Sequence, residues 1–205
     1  MPTARETLLD AAHAALAARP WHAVRMVDVA ATAGVSRQTL YNEFGSKDGL
    51  ARALVRRAAD TYLAGVERAL GSAGGTGDRL AATAAWTVRA TRASALVRGL
   101  LTGCWGEWSP RPGPARRSAS AVPAQRRADA GPPTPAELLG QVRDRAVAAL
   151  DEGRPPHDPA ALGMACELAL RLALSYALVP PPAGVAGDGA ELVRDIVDRL
   201  PDVAA

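Results

Sequence analysis

Cysteine, lysine and aromatic residues are scarce in this chain of 205 residues, which has two cysteines, one phenylalanine and a single lysine, Lys47. Two cysteines are too few for a disulfide framework, and Cys104 and Cys166 lack the spacing of metal ligands. The histidines are isolated in sequence, so we expect no metal site. No apolar run reaches the ~18 residues that cross a bilayer, and no basic-then-apolar leader opens the chain. We therefore expect a soluble, cytoplasmic protein without a membrane partner.

Alanine, leucine and valine supply most of the 48% hydrophobic content, a mixture that favours helix over strand. No segment alternates convincingly between apolar and polar residues at period two, so the predicted fold class is all-α. Catalytic signatures are also missing. The glycines of 71–77 do not follow the dinucleotide-binding spacing, and no nucleophile elbow is present. We expect no cofactor and no enzymatic activity.

The positive charge is placed unevenly along the chain. The formal net charge is +3, and residues 1–57 hold eight Lys or Arg against five Asp or Glu, while the remaining residues hold sixteen of each sign. The excess therefore lies in the N-terminal quarter, where it would attract a polyanionic partner.

Helix start and stop signals divide the chain. Thr3 with Glu6 forms a capping box for a first helix that Pro20 must end. Gly34 separates two short helices, and Gly45 separates the second of them from a long helix over 47–70. That long helix carries an apolar residue at every fourth position. Residues 109–135 are rich in Pro, Ser, Gly and Arg and predict a flexible loop. Further helices are predicted over 78–105, where Gly99 or Gly103 can interrupt the helix, and over 135–152, 158–179 and 189–200.

Residues 29–44, VAATAGVSRQTLYNEF, carry the functional signal. Two short helices joined by a tight turn form a helix-turn-helix unit. Ala30 is small enough for the helices to cross closely, and Gly34 can take the left-handed conformation that the turn needs. Ser36 caps the second helix and leaves its first side chains directed outward. A helix of this length fits the major groove of DNA.

The side chains that lead this helix suit DNA contacts. Arg37 can donate two hydrogen bonds to a guanine edge and Gln38 can pair with adenine, while Thr39 can reach a base or a phosphate. A phosphate at the start of the fourth helix would meet backbone amides and the Lys47 ammonium together. For three of these residues a structural role is the competing interpretation: Arg37 and Lys47 would be solvated surface side chains, and Tyr41 would pack against the first helix. The predicted DNA-binding set is Ser36, Arg37, Gln38, Thr39, Tyr41, Asn42, Ser46 and Lys47.

The N-terminal quarter strongly resembles the tetracycline-repressor (TetR) family. The resemblance runs from about Glu6 to Leu54 and rests on Leu9-Asp10-Ala11-Ala12, Val29-Ala30, Ala33-Gly34-Val35-Ser36, Thr39-Leu40-Tyr41 with Phe44, and Ser46-Lys47 with Leu50. It implies an N-terminal three-helix DNA-binding domain (1–46) and a C-terminal helical ligand-binding and dimerisation domain (47–205). It also implies a homodimer that binds a palindromic operator, usually as a repressor, and is released by a small molecule.

Three positions depart from the family pattern. Pro20 stands where the turn after the first helix usually carries glycine, so that turn must be built differently. Arg25 replaces the threonine that often caps the second helix, and contact with a phosphate is an alternative role for this side chain. Glu43 replaces an aromatic or histidine residue and would repel phosphate, so it is excluded from the predicted contacts.

The C-terminal half carries weaker signals. Residues 158–179 are so apolar that we expect them to be buried nearly all round, and the last two main helices pair with their copies in the family's dimers. Ordinary core of one subunit is the competing interpretation. The tryptophans and Met164 are consistent with the lining of an apolar effector cavity. Ordinary core packing explains the same side chains equally well. The predicted dimer residues are Leu162, Cys166, Ala169, Ala173, Leu192, Ile196 and Leu200, and the predicted ligand residues are Trp86, Trp105, Trp108 and Met164.

Two other classes of protein remain open. The chain would be a DNA-binding protein without a ligand response if its C-terminal domain lacked a cavity. It would be an enzyme with a DNA-binding appendage if a cavity held several convergent titratable groups, a cluster that the sequence does not offer.

Overall fold

A computed structural model describes residues 2–107, 109–113, 131–151, 159–179 and 189–200. These residues form helices and connecting turns, with no strand among them, which confirms the predicted all-α class. The helices are α1 (Ala4–Ala18), α2 (Met26–Thr32), α3 (Arg37–Phe44), α4 (Lys47–Leu70), α5 (Thr76–Ala93), α6 (Ala95–Thr102), α7 (Pro135–Leu150), α8 (Pro159–Leu178) and α9 (Ala190–Val197).

The chain divides into two compact units. The first takes the described residues of 1–59 and 103–133, and the second takes those of 60–102 and 134–205. The division therefore falls within α4, which begins in the first unit and ends in the second. A functional boundary after residue 46 stays a prediction.

In the first unit, α1, α2 and α3 pack on one another around buried apolar side chains. The Thr3 hydroxyl accepts a hydrogen bond from Glu6 N at 3.2 Å, and the Glu6 carboxylate accepts one from Thr3 N at 2.6 Å. This reciprocal bonding confirms the predicted capping box and lowers the pKa of Glu6. The largest core side chains are Leu8, Leu40, Phe44, Leu50 and Leu54.

The turn after α1 is built without glycine. Pro20 has an extended backbone and leads into a short 3₁₀ turn, Trp21–Ala23, which closes with a 3.1 Å bond from Val24 N to Trp21 O. The turn between α2 and α3 follows the prediction. Gly34 has φ of +69° there, and Val35 N donates to Ala30 O at 3.1 Å. A side chain would strain that backbone conformation.

In the second unit, α5 packs against α6, α8 and α9, and α7 packs against α6 and α8. The predicted capping box at Thr134 and Glu137, with Pro135 in the first turn, is confirmed. The helical stretch predicted over 78–105 is interrupted at Ser94, not near Gly99, and it ends at Thr102, just before Gly103. Ser94 takes an extended backbone (φ −130°, ψ 116°) and separates α5 from α6, because its hydroxyl caps the new helix by accepting from Val97 N at 3.3 Å.

Helix α8 is buried on one side only within the chain, so the expectation of burial nearly all round is wrong for the single subunit. By length and composition it is the one described helix that could cross a membrane. Its outer side carries an ion pair between Glu167 and Arg171 at 2.6 Å, and its inner side packs against α5, α7 and α9. That pattern is typical of a core helix with one polar face.

Candidate nucleic-acid interface

Helix α3 is anchored by two apolar side chains and directs the others outward. Leu40 and Phe44 are 0% and 1% exposed, whereas Tyr41 is 41% exposed. Arg37, Gln38 and Asn42 are also exposed. Because residues four apart share one side of a helix, burying Leu40 and Phe44 presents the opposite side to solvent.

The start of α3 is held by Ser36. Its hydroxyl accepts a hydrogen bond from Thr39 N at 3.0 Å and lies 2.8 Å from the Thr39 hydroxyl. This N-cap satisfies one of the free amides of the first turn. Ser36 thus orients the helix, and Thr39, which is half-buried, has its hydroxyl engaged with the cap.

The exposed donors of α3 differ in whether they already form a hydrogen bond within the chain. Gln38 Nε2 donates to Asn42 Oδ1 at 2.9 Å, one turn further along the helix. The side chain of Arg37 makes no hydrogen bond or ion pair with any residue that the structure describes. All the donors of its guanidinium therefore remain available.

The start of α4 brings Lys47 against the turn after α1. Lys47 Nζ donates to His22 O at 3.1 Å and lies 5.3 Å from the centroid of the Trp21 ring. Partial burial lowers the pKa of Lys47, while the neighbouring Asp48 opposes that shift. Ser46 caps this helix by accepting from Gly49 N at 3.1 Å. An ammonium has three donors, so two of those of Lys47 remain available after the bond to His22.

Arg25 occupies the N-cap position of α2 but makes no side-chain cap there. It instead donates to both carboxylate oxygens of Asp28, at 3.0 and 2.9 Å. These bonds raise the pKa of Arg25 and lower that of Asp28. The pair stabilises the first turn of α2 in place of a capping hydroxyl.

The residues predicted for the dimer interface separate into two groups. Leu162, Cys166, Ala169 and Ala173 are at most 2% exposed, so the subunit itself covers them. On α9, Leu192 is 41% exposed and Ile196 is half-buried, and Leu200, which follows the end of the helix, is also half-buried. The outer side of α8 instead presents Met164 and Leu168.

The four residues predicted for a ligand cavity do not form one cluster within either unit. Trp86 lies half-buried in the second unit, and Trp105 belongs to the first. Met164 is 73% exposed and lies on the surface of the subunit, not in its interior. Trp108 lies outside the described residues.

The interior of the second unit holds a line of hydroxyl groups that sequence reasoning missed. Thr83, Thr87 and Thr91 follow one another at every fourth residue of α5 and are at most 1% exposed. Thr87 donates to Thr83 O at 2.9 Å and accepts from the buried Tyr62 hydroxyl at 3.0 Å. The Thr91 hydroxyl has no partner among the residues described. Three threonines spaced by four in an apolar helix were the available signal.

An exposed, capped helix carried on a three-helix core is the arrangement of a helix-turn-helix DNA-binding domain. Residues 8–54 match the family model described as "Bacterial regulatory proteins, tetR family". The chain is also 47% identical over 66 residues to the HTH-type transcriptional regulator AlkX of Mycobacterium tuberculosis strain H37Rv. That match covers 32% of this chain and 31% of the relative, so it spans about a third of either protein. The N-terminal quarter of the chain therefore carries a DNA-binding domain of the kind that this TetR-family model describes.

Solved structures of transcriptional regulators, two of them described as TetR-family proteins, share the fold over nearly the whole chain. The repressor AlkX from Dietzia sp., implicated in biodegradation of n-alkanes, is 23% identical with a TM-score of 0.53, covering 98% of this chain and 97% of that one. A TetR/AcrR regulator from Thermobifida fusca is 16% identical with a TM-score of 0.57 and 94% coverage of both. FadR from Bacillus subtilis, in complex with stearoyl-CoA, is 17% identical with a TM-score of 0.50, covering 93% and 95%.

Proposed function

We propose that this protein is a repressor that binds a near-palindromic operator as a homodimer in the cytoplasm and is released by a small apolar molecule. The observation that carries the proposal is the set of exposed leading side chains of α3, with Arg37 unengaged and Gln38 oriented by Asn42. Bidentate donors at the start of a helix are the groups that read guanine and adenine in the major groove.

Selection from a randomised pool of DNA duplexes tests the DNA-binding step. The wild-type protein should enrich an inverted repeat, because two copies related by a two-fold axis read two half-sites. Affinity for the selected duplex should exceed that for a random duplex by at least ~10³-fold. A bound pool without sequence enrichment would contradict the proposal.

We propose the outer face of α7 and α8 as the surface that meets the second copy. An open cleft of about 310 Å³ runs between the two helices and is lined by apolar side chains together with Arg143, Glu167 and Arg171. Met164 and Leu168 stand beside it at 73% and 37% exposure. The face thus carries both signs of charge beside exposed apolar side chains, which suits a surface that meets its own copy across a two-fold axis.

Charge introduced on this face tests the dimer. Met164→Glu combined with Leu168→Glu should give monomers in sedimentation, because two carboxylates would be buried without partners. Ala64→Glu is the matched control, since Ala64 is exposed on α4 in the same unit. A double variant that sediments as a dimer would exclude this face.

We propose that the effector occupies the interior of the second unit beside α5, with the Thr91 hydroxyl as a polar contact. A buried hydroxyl without a partner costs about 1–3 kcal/mol, and a bound molecule would remove that cost. The stearoyl-CoA bound by Bacillus subtilis FadR and the n-alkane degradation named for the Dietzia AlkX favour a long apolar chain as the effector.

Release of a fluorescent selected duplex tests this step, with stearoyl-CoA and dodecane as the probes. A drop in anisotropy upon addition of either probe supports the response, and Thr91→Val should weaken the response to a probe that has a polar group. A protein that binds neither probe by calorimetry and keeps its DNA fits the alternative of a regulator without this kind of ligand response.

A further inference from the structure

Helix α1 reaches the C-terminal end of the recognition helix through one side chain. Arg5 Nη1 lies 3.4 Å from the carboxylate oxygen Oε2 of Glu43 and 3.4 Å from the backbone oxygen of the same residue. Its guanidinium carbon lies 4.7 Å from the centroid of the Phe44 ring. One cation therefore meets a carboxylate, a helix C-terminal carbonyl and an aromatic face, and each of them attracts positive charge.

This contact is half-buried, with side-chain exposures of 23% for Arg5 and 26% for Glu43. The ring beneath it belongs to Phe44, which anchors α3 in the core with 1% exposure. Pairing at such a site is screened less by salt than pairing between fully exposed charges. The Glu43 carboxylate, the Glu43 backbone oxygen and the Phe44 ring thus hold the guanidinium at the end of α3.

Glu43 lies on the flank of α3 that carries Thr39, one turn closer to the C-terminus. A carboxylate at this end of a helix docked in the major groove repels the phosphates that border the groove. The adjacent helix terminus adds its partial negative charge. An uncompensated Glu43 would therefore oppose the approach of α3 to DNA.

We propose that Arg5 neutralises Glu43 and the C-terminal end of α3, and so acts as a positioning residue for DNA binding without itself contacting DNA. This inference rests on the proposed DNA-binding role of α3. It assigns a function to a residue outside the helix-turn-helix unit, and it explains how an acidic residue is tolerated on a recognition helix.

A double-mutant cycle on the duplex selected by the wild-type protein tests the assignment. Arg5→Ala should weaken binding about fivefold, on the scale of a partly screened charge pair. Glu43→Gln should change affinity less than about twofold, and the double variant should bind like Glu43→Gln, because no charge remains to neutralise. Arg5→Lys should retain most of the affinity because it keeps the charge.

The slope of log affinity against log salt distinguishes a positioning residue from a phosphate contact. Losing a phosphate contact reduces the size of the slope by about one, whereas we expect Arg5→Ala to leave it unchanged. Arg19→Ala is the control for net charge, because Arg19 forms an ion pair of the same length, 3.4 Å, with Asp28 outside α3. It should bind within about twofold of wild type.

Three results would overturn the inference: an Arg5→Ala loss that persists undiminished in the Glu43→Gln background, a smaller salt slope, or an equal loss in Arg19→Ala. Circular dichroism and thermal unfolding of each variant report whether α1 and α3 still fold. If Arg5→Ala unfolds, Arg5→Lys and Arg5→Gln in both Glu43 backgrounds give the same comparison. Failure of the wild-type protein to select any duplex would instead refute the proposed function.

Discussion

The indole ring of Trp86 lies directly against the backbone of α4 at Gly65. A Cβ atom added at Gly65 would overlap the six-membered part of the ring, and Trp86 Nε1 donates to the backbone oxygen of Tyr62 at 3.0 Å. Trp86 of α5 thus packs against α4 at Gly65, a glycine that lies inside a helix and not in a turn. The close approach of the ring, not a positive φ, explains this residue.

Gly65→Ala should therefore destabilise the protein even though alanine is the better helix former. Overpacking against Trp86 should cost ~1–3 kcal/mol, which outweighs the ~1 kcal/mol of helix propensity gained. Chemical denaturation measures the change. In a Trp86→Leu background the ring is gone, so the same Gly65→Ala change should become neutral or stabilising. An equal cost in both backgrounds would show that the ring is not the cause.

Asn42 should contribute to the discrimination between DNA sequences by holding the Gln38 side chain in place. Removing the amide with Asn42→Ala frees Gln38, whose orientation the 2.9 Å bond fixes, and we expect selectivity at one base pair to fall about threefold. Binding to a panel of single-base variants of the selected duplex measures this. A uniform loss over the whole panel would instead indicate that Asn42 contacts a phosphate.

Arg37 and Lys47 should separate specificity from affinity. Arg37→Ala should cost ~1–3 kcal/mol and relax the preference at one base position. Lys47→Ala should weaken binding to all sequences and reduce the salt slope by about one. Titrations of the selected and random duplexes at several salt concentrations measure both effects. Equal losses on the two duplexes for both variants would defeat this assignment of roles.

Replacing threonine by valine at two positions of α5 should change the stability of the protein in opposite directions. Thr91→Val removes a buried hydroxyl without a described partner, so the ligand-free protein should gain ~1 kcal/mol. Thr87→Val leaves the Tyr62 hydroxyl, 1% exposed, without its 3.0 Å partner, and should cost ~1–3 kcal/mol. Urea denaturation gives both values. Destabilisation by Thr91→Val would mean that its hydroxyl is already paired.

The two thiols should differ in reactivity. Cys104 is exposed, whereas Cys166 is buried and its burial raises the pKa to about 12. Because only the thiolate attacks a disulfide reagent, a raised pKa suppresses reaction at neutral pH. A chromogenic disulfide should label one thiol in the native protein at pH 8 and the second only in denaturant. Cys104→Ser should abolish the native reaction, and rapid labelling of that variant would show that Cys166 is accessible.

Helix ends were predictable where their causes are local. The capping boxes at Thr3 and Thr134 join residues three apart, and Gly34 meets the requirement of a single turn. Such signals are complete within a few residues of the sequence. The break at Ser94 escaped prediction because apolar periodicity continues across it, although serine is a capping residue.

The sides of the helices were harder to assign. The stripe of Leu162, Cys166 and Ala169 suits a partner helix from another copy as well as it suits α5 and α7 of the same chain, since apolar periodicity does not name its partner. The structure buries this stripe internally and leaves Met164 and Leu168 outside. Likewise, tryptophan content could not indicate a cavity, because a tryptophan packs equally well against a backbone, as Trp86 does.

The amino-acid sequence alone determined the all-α class and the capped recognition helix, because propensity, caps and turn glycines act over a few residues. Only the tertiary structure decided that Arg5 meets Glu43, 38 residues away, and that a line of threonines lies in the interior of the second unit. Contacts of that kind depend on how helices pack, and packing is a property of the whole folded chain.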